Sequence, residues 1–125
     1  MERRILIVDD EESIRESLKD FLEDFDFQVA AAASAEAALQ LLQEQPIDIL
    51  VADLRLPGIS GDTLIVKAHE LYPSMQYVIL TGSVGYLFSE KLQAVGILPR
   101  HIMQKPLFDL MLLVETLEDI LQHSA

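Results

Sequence analysis

Residues 49–58 of this 125-residue chain read Ile-Leu-Val-Ala-Asp-Leu-Arg-Leu-Pro-Gly. Four apolar residues run into the carboxylate of Asp53, and a Pro-Gly pair follows four residues after it. The apolar run is too short for a helix and a turn bounds it, so it predicts a buried strand that delivers Asp53 to its carboxyl end. In open parallel α/β sheets the ligand crevice lies outside the carboxyl ends of the strands. Asp53 is therefore the first candidate functional residue.

Similar apolar runs recur along the chain and alternate with helical patterns. The predicted strands cover residues 4–8, 27–31, 48–52, 77–80 and about 101–104. A helix is predicted after each strand, from apolar residues at steps of three and four; the fourth is less regular, at about residues 87–95. Five strands that alternate with five helices predict an α/β fold with a doubly wound parallel sheet, helices on both faces and right-handed crossovers.

Several helix boundaries can also be predicted. Ser13 and Glu16 have the spacing of a capping box for the first helix, and Ser34 is a suitable cap for the second. The third helix should begin at Gly61 and end before Pro73. Its inward-facing residues are predicted to be Leu64, Ile65, Ala68, Leu71 and Tyr72.

The charge balance excludes several classes of partner. The chain has 21 acidic and 9 basic residues and a net charge of −12, which repels nucleic acid phosphates and anionic lipid alike. We therefore expect no direct binding to nucleic acid or to a membrane. The chain contains no cysteine, so disulfides, thiolate metal sites and thiol nucleophiles are excluded.

Length and the hydrophobic pattern predict one domain that spans residues 1–125. Only four apolar residues separate the first four residues from Asp9, far fewer than a signal-peptide core requires. A cytoplasmic location is therefore the default expectation. The longest charge-free run, residues 71–89, contains Pro73, Gly82 and Gly85 and is not predicted to span a membrane.

Polar residues end four of the predicted strands. Asp9 and Asp10 follow the first strand, Asp53 the third, Thr81 the fourth and Lys105 the fifth. Three clustered carboxylates repel one another unless a cation compensates their charge. Hard oxygen ligands with few protein contacts suit Mg²⁺ or Mn²⁺. The sequence therefore predicts a divalent metal site at this edge of the sheet.

A carboxylate, a divalent metal, a lysine and a hydroxyl together suit phosphoryl transfer to the carboxylate. Asp53 would be the nucleophile and would form an acyl phosphate. The metal and Lys105 would neutralise charge on the transferred group, and Thr81 would hydrogen-bond the product.

Four short motifs in this order resemble the receiver domain of two-component response regulators. They are Val8-Asp9-Asp10-Glu11, Asp53 with Pro57 and Gly61 behind it, Thr81-Gly82, and Lys105-Pro106. The resemblance covers the whole chain and implies a flavodoxin-like fold with strand order 2-1-3-4-5. It also implies a cis bond between Lys105 and Pro106.

The resemblance implies that Asp53 accepts a phosphoryl group from the phosphohistidine of a sensor histidine kinase or a phosphotransfer protein. It further implies that Asp9, Asp10, Asp53 and the backbone carbonyl of Arg55 bind the metal. Such a domain is not an enzyme with a substrate of its own, although it takes part in its own phosphotransfer and dephosphorylation. Phosphorylation shifts a two-state equilibrium and changes a face that binds an output partner or effector domain, whose identity the sequence does not reveal.

One position departs from the family pattern. The family usually has an aromatic residue three positions before the lysine, where this chain has Ile102. An isoleucine offers neither a hydroxyl nor a ring, so it is an atypical switch residue. The segment 96–102 is also about two residues longer than is usual in the family.

Two other functions and one assembly stay open at this level. A receiver-like interaction module that works without phosphorylation is favoured by Ile102. A small phosphohydrolase of the haloacid dehalogenase kind would also use an Asp nucleophile, but its Asp-x-Asp motif is absent after the first strand. A homodimer through the fourth and fifth helices would use the apolar side chains of Leu107, Phe108, Met111 and Leu112.

Overall fold

The computed structural model of the chain describes residues 3–82, 90–105, 107 and 109–123, with the side chain of residue 91 left out. The strands are β1 (Arg4–Val8), β2 (Gln28–Ala32), β3 (Ile49–Asp53), β4 (Gln76–Thr81) and β5 (Ile102–Gln104). The helices are α1 (Glu12–Glu23), α2 (Ala35–Glu44), α3 (Gly61–Leu71), α4 (Glu90–Ala94) and α5 (Leu110–His123). A short 3-10 helix, Pro99–His101, precedes β5.

The predicted alternation of strands and helices is confirmed, with ends that move by a few residues. The start predicted for the fourth helix, at about residue 87, lies outside the described residues. The same holds for the expected cis bond between Lys105 and Pro106, because Pro106 is not described.

The five strands form one parallel sheet in the order β2-β1-β3-β4-β5, as the family resemblance implied. Val8 at the end of β1 lies opposite Ala32 of β2 and Ala52 of β3. Thr81 at the end of β4 lies opposite Gln104 of β5. This register brings the carboxyl ends of the strands to one edge of the sheet, where the polar residues of the motifs follow.

Two hydrophobic clusters cover the two faces of the sheet. Side chains alternate along each strand, so Leu6 and Val8 of β1 face one cluster and Ile5 and Ile7 face the other. The first cluster packs against α2, α3 and α4, and the second packs against α1 and α5. Each fully buried Leu or Ile contributes about 1.5–3 kcal/mol relative to an exposed one. The core thus fixes the sheet that carries the polar edge.

The predicted helix starts are correct at one helix and wrong at another. The Ser34 hydroxyl accepts a hydrogen bond from the Ala37 N–H at 3.2 Å, so Ser34 caps α2 as predicted. The capping box of Ser13 and Glu16 is wrong, because α1 already begins at Glu12. The cap residue is Glu11, which makes no side-chain cap hydrogen bond, and its own N–H donates to Asp9 Oδ1 at 2.9 Å.

One residue that was predicted to face inward does not. Leu71 is the last residue of α3, and 59% of its surface is exposed. Leu64, Ile65 and Ala68 are buried as predicted, and Tyr72 packs partly against the same cluster. None of the described helices is both long enough and apolar enough to cross a lipid bilayer.

Candidate functional site

Three carboxylates meet at the carboxyl edge of the sheet. Asp9 follows β1, Asp10 comes directly after it, and Asp53 is the last residue of β3. One oxygen from each lies within 4.8 Å of the others. Asp9 and Asp53 are buried, with exposures of 1% and 7%, whereas Asp10 is exposed. The structure therefore brings together the three carboxylates that the sequence placed at strand ends.

Several hydrogen bonds hold Asp9 in place. Its backbone N–H donates to the Ala32 carbonyl of β2 at 3.2 Å, and its Oδ1 accepts from the Glu11 N–H. Its own carbonyl accepts from Nη1 of Arg15, on α1, at 2.8 Å. The backbone and one carboxylate oxygen of Asp9 are thus fixed before any ligand is considered.

Lys105 joins the two buried carboxylates. Its Nζ lies 2.5 Å from Oδ2 of Asp9 and 2.9 Å from Oδ2 of Asp53. Its backbone N–H donates to the Thr81 carbonyl at 2.8 Å. Burial of the ammonium lowers the pKa of Lys105, but the bonds and charges of the two carboxylates outweigh it and raise the pKa above the ordinary 10.5. Lys105 is therefore a permanent cation at neutral pH.

Asp53 uses both of its carboxylate oxygens. Oδ2 accepts from Lys105, and Oδ1 accepts from the Arg55 backbone N–H at 3.0 Å. The second bond curls the chain after β3 back towards the carboxylate, so residue 55 stays close to the cluster. The Arg55 side chain itself is exposed.

Gly61 packs against the backbone of Asp53. A Cβ at this position would lie 2.4 Å from the Asp53 carbonyl oxygen and 2.7 Å from the Leu54 Cα. The Gly61 N–H also donates to the Leu54 carbonyl at 3.1 Å. Only glycine allows α3 to begin so close to β3. The sequence motif included Gly61, but nothing in the pattern disclosed this contact.

A side chain of α2 holds the loop between β3 and α3. Glu36 Oε1 accepts from the Ile59 N–H at 3.1 Å. The preceding residue, Gly58, has a φ of 76° in the left-handed region that favours glycine. A Cβ there would lie 2.9 Å from the same Glu36 oxygen. Sequence reasoning missed Glu36, since it lies 23 residues before Ile59.

Thr81 and Ile102 lie on neighbouring strands but in different surroundings. Thr81 ends β4 at the polar edge and is 3% exposed. Ile102 begins β5, is half-buried, and packs partly against the hydrophobic cluster of α2, α3 and α4. Its register partner is Ile79, two residues before Thr81. The aliphatic side chain of Ile102 therefore lies two positions before Gln104, which is the register partner of Thr81.

The three carboxylates fit a small divalent cation. Asp9 Oδ2 is buried and accepts no well-directed hydrogen bond from the described residues, although Lys105 Nζ is close enough to pair with it by charge. A buried carboxylate oxygen with acceptor capacity left is a suitable hard ligand, and the neighbouring oxygens of Asp10 and Asp53 supply two more.

A cavity of about 540 Å³ opens beside Lys105, between α1 and the start of α5. Ile14 and Leu18 of α1 line one side, and Leu107 and Leu110 line the other. Gly82 and Lys105 lie at the end nearest the carboxylates. Glu11, Ser13 and Ser17 also line the cavity, so the polar cluster is reached along a groove of mixed polar and apolar character.

Comparison with known proteins identifies close structural relatives. The sequence profile of the response regulator receiver domain family matches residues 5–118. A CheY-like response regulator receiver domain protein from Methanospirillum hungatei has a crystal structure with a TM-score of 0.89 and 30% identity, covering 99% of this chain and 97% of that chain. The response regulator TrrA from Thermotoga maritima, crystallised in complex with Mg²⁺ and BeF, gives a TM-score of 0.82 and 26% identity over 94% of this chain and 98% of that chain.

The similar curated proteins are much longer than this chain. The hydrogenase transcriptional regulatory protein HoxA of Cupriavidus necator is 31% identical over 78 residues, which make up 62% of this chain and 16% of that protein. The chain spans 17% to 18% of the length of four further regulators, at 31% to 41% identity.

Proposed function

This chain belongs to the response regulator receiver domain family, and we propose that its Asp53 accepts a phosphoryl group from the phosphohistidine of a histidine kinase or a phosphotransfer protein. Members of this family are phosphoacceptor signalling switches of two-component systems. The observation that carries the proposal is the convergence on Asp53 of two further carboxylates and one lysine at the edge of the sheet.

The chemistry follows from what surrounds Asp53. One carboxylate oxygen attacks phosphorus, the new P–O bond forms as the P–N bond of the donor breaks, and the leaving imidazole carries away the electron pair. The Lys105 ammonium, 2.9 Å from Asp53 Oδ2, lies where it can bind an oxygen of the transferred group. Thr81, at the end of the adjacent strand, is the proposed hydrogen-bond donor to the acyl phosphate.

We propose that Mg²⁺ or Mn²⁺ is held by the carboxylates of Asp9, Asp10 and Asp53 together with the backbone carbonyl of Arg55. Such a cation neutralises charge on phosphoryl oxygens during transfer. The proposal is supported by the three carboxylate oxygens, which lie within 4.8 Å of one another, and by the Mg²⁺ in the TrrA complex. Asp9 is the deepest ligand and Asp10 the most exposed.

The phosphodonor protein is proposed to approach along the groove beside α1. Leucine and isoleucine side chains line both walls of the groove, whereas the outward positions of α1 carry the exposed acidic residues Glu12, Glu16, Asp20 and Glu23. A partner with an apolar ridge and basic flanks complements this surface. Gly82 supports the approach, because a Cβ there would meet no described atom within 4 Å.

The output side of the switch is proposed to be the face formed by α4, β5 and α5. Leu98, Met111 and Leu112 are exposed there by 41%, 38% and 51%. An apolar surface of this kind suits an output partner or effector domain, and the same side chains suit a homodimer. We propose that residues 1–125 form one receiver domain that acts in the cytoplasm; the family profile itself covers residues 5–118.

The test is phosphorylation by a small phosphodonor. The protein is incubated with acetyl phosphate and Mg²⁺, and its intact mass is measured. We expect the mass of one phosphoryl group to be added to the wild type and to Asp24→Asn, which changes an exposed carboxylate just after α1. Asp53→Asn should gain nothing, and a chelator should suppress the wild-type reaction.

Two outcomes would contradict the proposal. A wild type that gains no mass would favour the interaction module that works without phosphorylation. A gain that survives in Asp53→Asn would place the acceptor elsewhere. Repeated turnover of a phosphate ester would instead indicate a phosphohydrolase.

A further inference from the structure

We propose that Arg15 is a positioning residue for the cation site, because its guanidinium holds the turn that carries Asp9 and Asp10. This inference rests on the proposed function, since it concerns the same carboxylates. The inference goes beyond the proposed function because it gives a role to a side chain that touches neither the phosphoryl group nor the cation.

Two of the three carboxylates belong to the turn between β1 and α1. On the strand side, the Asp9 N–H is bound to β2 through the Ala32 carbonyl. On the helix side, the Glu11 N–H binds Asp9 Oδ1, and the Arg15 N–H binds the Glu11 carbonyl at 3.1 Å. The Asp9 carbonyl is bound by Arg15 Nη1 at 2.8 Å. The Arg15 side chain therefore ties the first residue of the turn to the first turn of α1.

Arg15 and Lys105 act on the cluster in different ways. Lys105 Nζ contacts carboxylate oxygens of Asp9 and Asp53, which are the atoms that a metal would need. Arg15 donates to a backbone carbonyl, so its positive charge stands near the cluster while its described bond leaves the carboxylate oxygens available. A guanidinium is suited to this, because its planar fork directs hydrogen bonds in fixed directions.

Removal of Arg15 has two effects of opposite sign on cation binding. Its charge repels a divalent cation, so the loss of charge alone would tighten binding. Its hydrogen bond orders the turn, so the loss of the bond would loosen the ligands and weaken binding. In metal sites, the loss of a group that orients a ligand weakens affinity by about 10- to 100-fold. We therefore expect the second effect to dominate.

The experiment is calorimetric titration with MgCl₂ alone. Arg15→Gln removes both the positive charge and the planar guanidinium, whereas Arg15→Lys removes the guanidinium but keeps the charge. Lys19→Gln is the matched control, because it removes the same charge one turn further along α1. We expect both Arg15 variants to bind Mg²⁺ about tenfold more weakly than the wild type. Lys19→Gln should bind as tightly as the wild type or slightly more tightly.

Titration at high salt distinguishes the effect of turn ordering on Mg²⁺ binding from the effect of charge. At about 1 M KCl the screening length is about 3 Å, which suppresses the charge effect, so the loss in the Arg15 variants should persist. Thermal melts without Mg²⁺ should show that the Arg15 variants are folded and lose no more stability than the one hydrogen bond contributes. Amide NMR shifts of Asp10 and Glu11 should move in both Arg15 variants and stay unchanged in Lys19→Gln.

The result that would contradict the proposed function differs from the result that would contradict the role of Arg15. A wild type that neither binds Mg²⁺ nor accepts a phosphoryl group would contradict the proposed function. A wild type that does both, with Arg15→Gln binding Mg²⁺ as tightly or more tightly, would overturn the inference alone. Wild-type affinity in Arg15→Lys would overturn it as well, because charge would then be sufficient.

Discussion

Gly61→Ala should destabilise the protein at the point where α3 meets β3. The added methyl would lie 2.4 Å from the Asp53 carbonyl oxygen and 2.7 Å from the Leu54 Cα. Both neighbours are backbone atoms, so no change of rotamer can relieve the contact, and α3 or β3 must shift. Overpacking of this severity costs about 3 kcal/mol. Alanine restricts the unfolded chain and returns about 0.5–1 kcal/mol, which leaves a net loss of about 2 kcal/mol.

The loss should be measured by urea unfolding, with a thermal melt beside it. A decrease of about 2 kcal/mol corresponds to a melting temperature lower by about 6–10 °C in a domain of this size. Gly82→Ala is the matched control, because it adds the same methyl where no described atom lies within 4 Å. Its free energy of unfolding should stay within about 0.5 kcal/mol of the wild type.

The reasoning would be refuted if Gly61→Ala were as stable as the wild type, or if Gly82→Ala lost as much. Equal losses would mean that both glycines act through general backbone freedom and not through the close approach at Asp53.

Three more changes test the site and the core. Asp10→Ala should weaken Mg²⁺ binding at least about tenfold in calorimetry, yet leave the fold equally or more stable, since it relieves repulsion among the three carboxylates. Lys105→Met should cost about 3 kcal/mol at neutral pH by urea unfolding, because the buried carboxylates of Asp9 and Asp53 lose their partner. The pKa of Lys105 is raised on folding, so its contribution is complete below the ordinary 10.5 and is lost as pH rises through the raised pKa. Tyr77→Phe should stabilise the protein by about 1 kcal/mol, because the Tyr77 hydroxyl is buried with no hydrogen-bond partner among the described residues.

Each of these predictions has a result that would contradict it. Unchanged Mg²⁺ affinity in Asp10→Ala would mean that the cation site is misplaced. If the stability gap between the wild type and Lys105→Met stayed constant well above pH 10.5, the ammonium would not be its source. A clear loss of stability in Tyr77→Phe would mean that the hydroxyl has a partner after all.

The strands and the polar edge could be predicted because their causes are local. Both faces of a central parallel strand are buried, so runs such as residues 5–8 and 49–52 are apolar throughout. The residue that ends such a run lies at the carboxyl edge whatever the details of packing. Asp9, Asp53, Thr81 and Lys105 were therefore placed correctly with respect to the sheet.

The contacts that shape the site could not be predicted because they depend on the conformation of turns and on the packing of segments that are distant in the chain. Before α1, the Glu11 N–H donates to the carboxylate of Asp9, a bond that depends on how the backbone bends after β1. The Glu36 bond to Ile59 and the approach of Gly61 to Asp53 depend on how the helices pack on the sheet. Leu71 fits the helical spacing of the buried residues, but it is the last residue of α3. The spacing does not predict burial at the end of the helix.

Lys105 reaches from the end of β5 across β4 and β3 to the residue that follows β1. Its backbone N–H is bound to β4 at Thr81, while its side chain crosses to the carboxylates that follow β1 and end β3. Lys105 directly follows β5, so its ion pair connects the carboxylate of Asp53 to the end of the last strand. A change at the Asp53 carboxylate that alters its pairing with Nζ therefore acts directly on the residue that follows β5. These described contacts join the polar edge to the end of β5 through Lys105 and not through the side chain of Ile102.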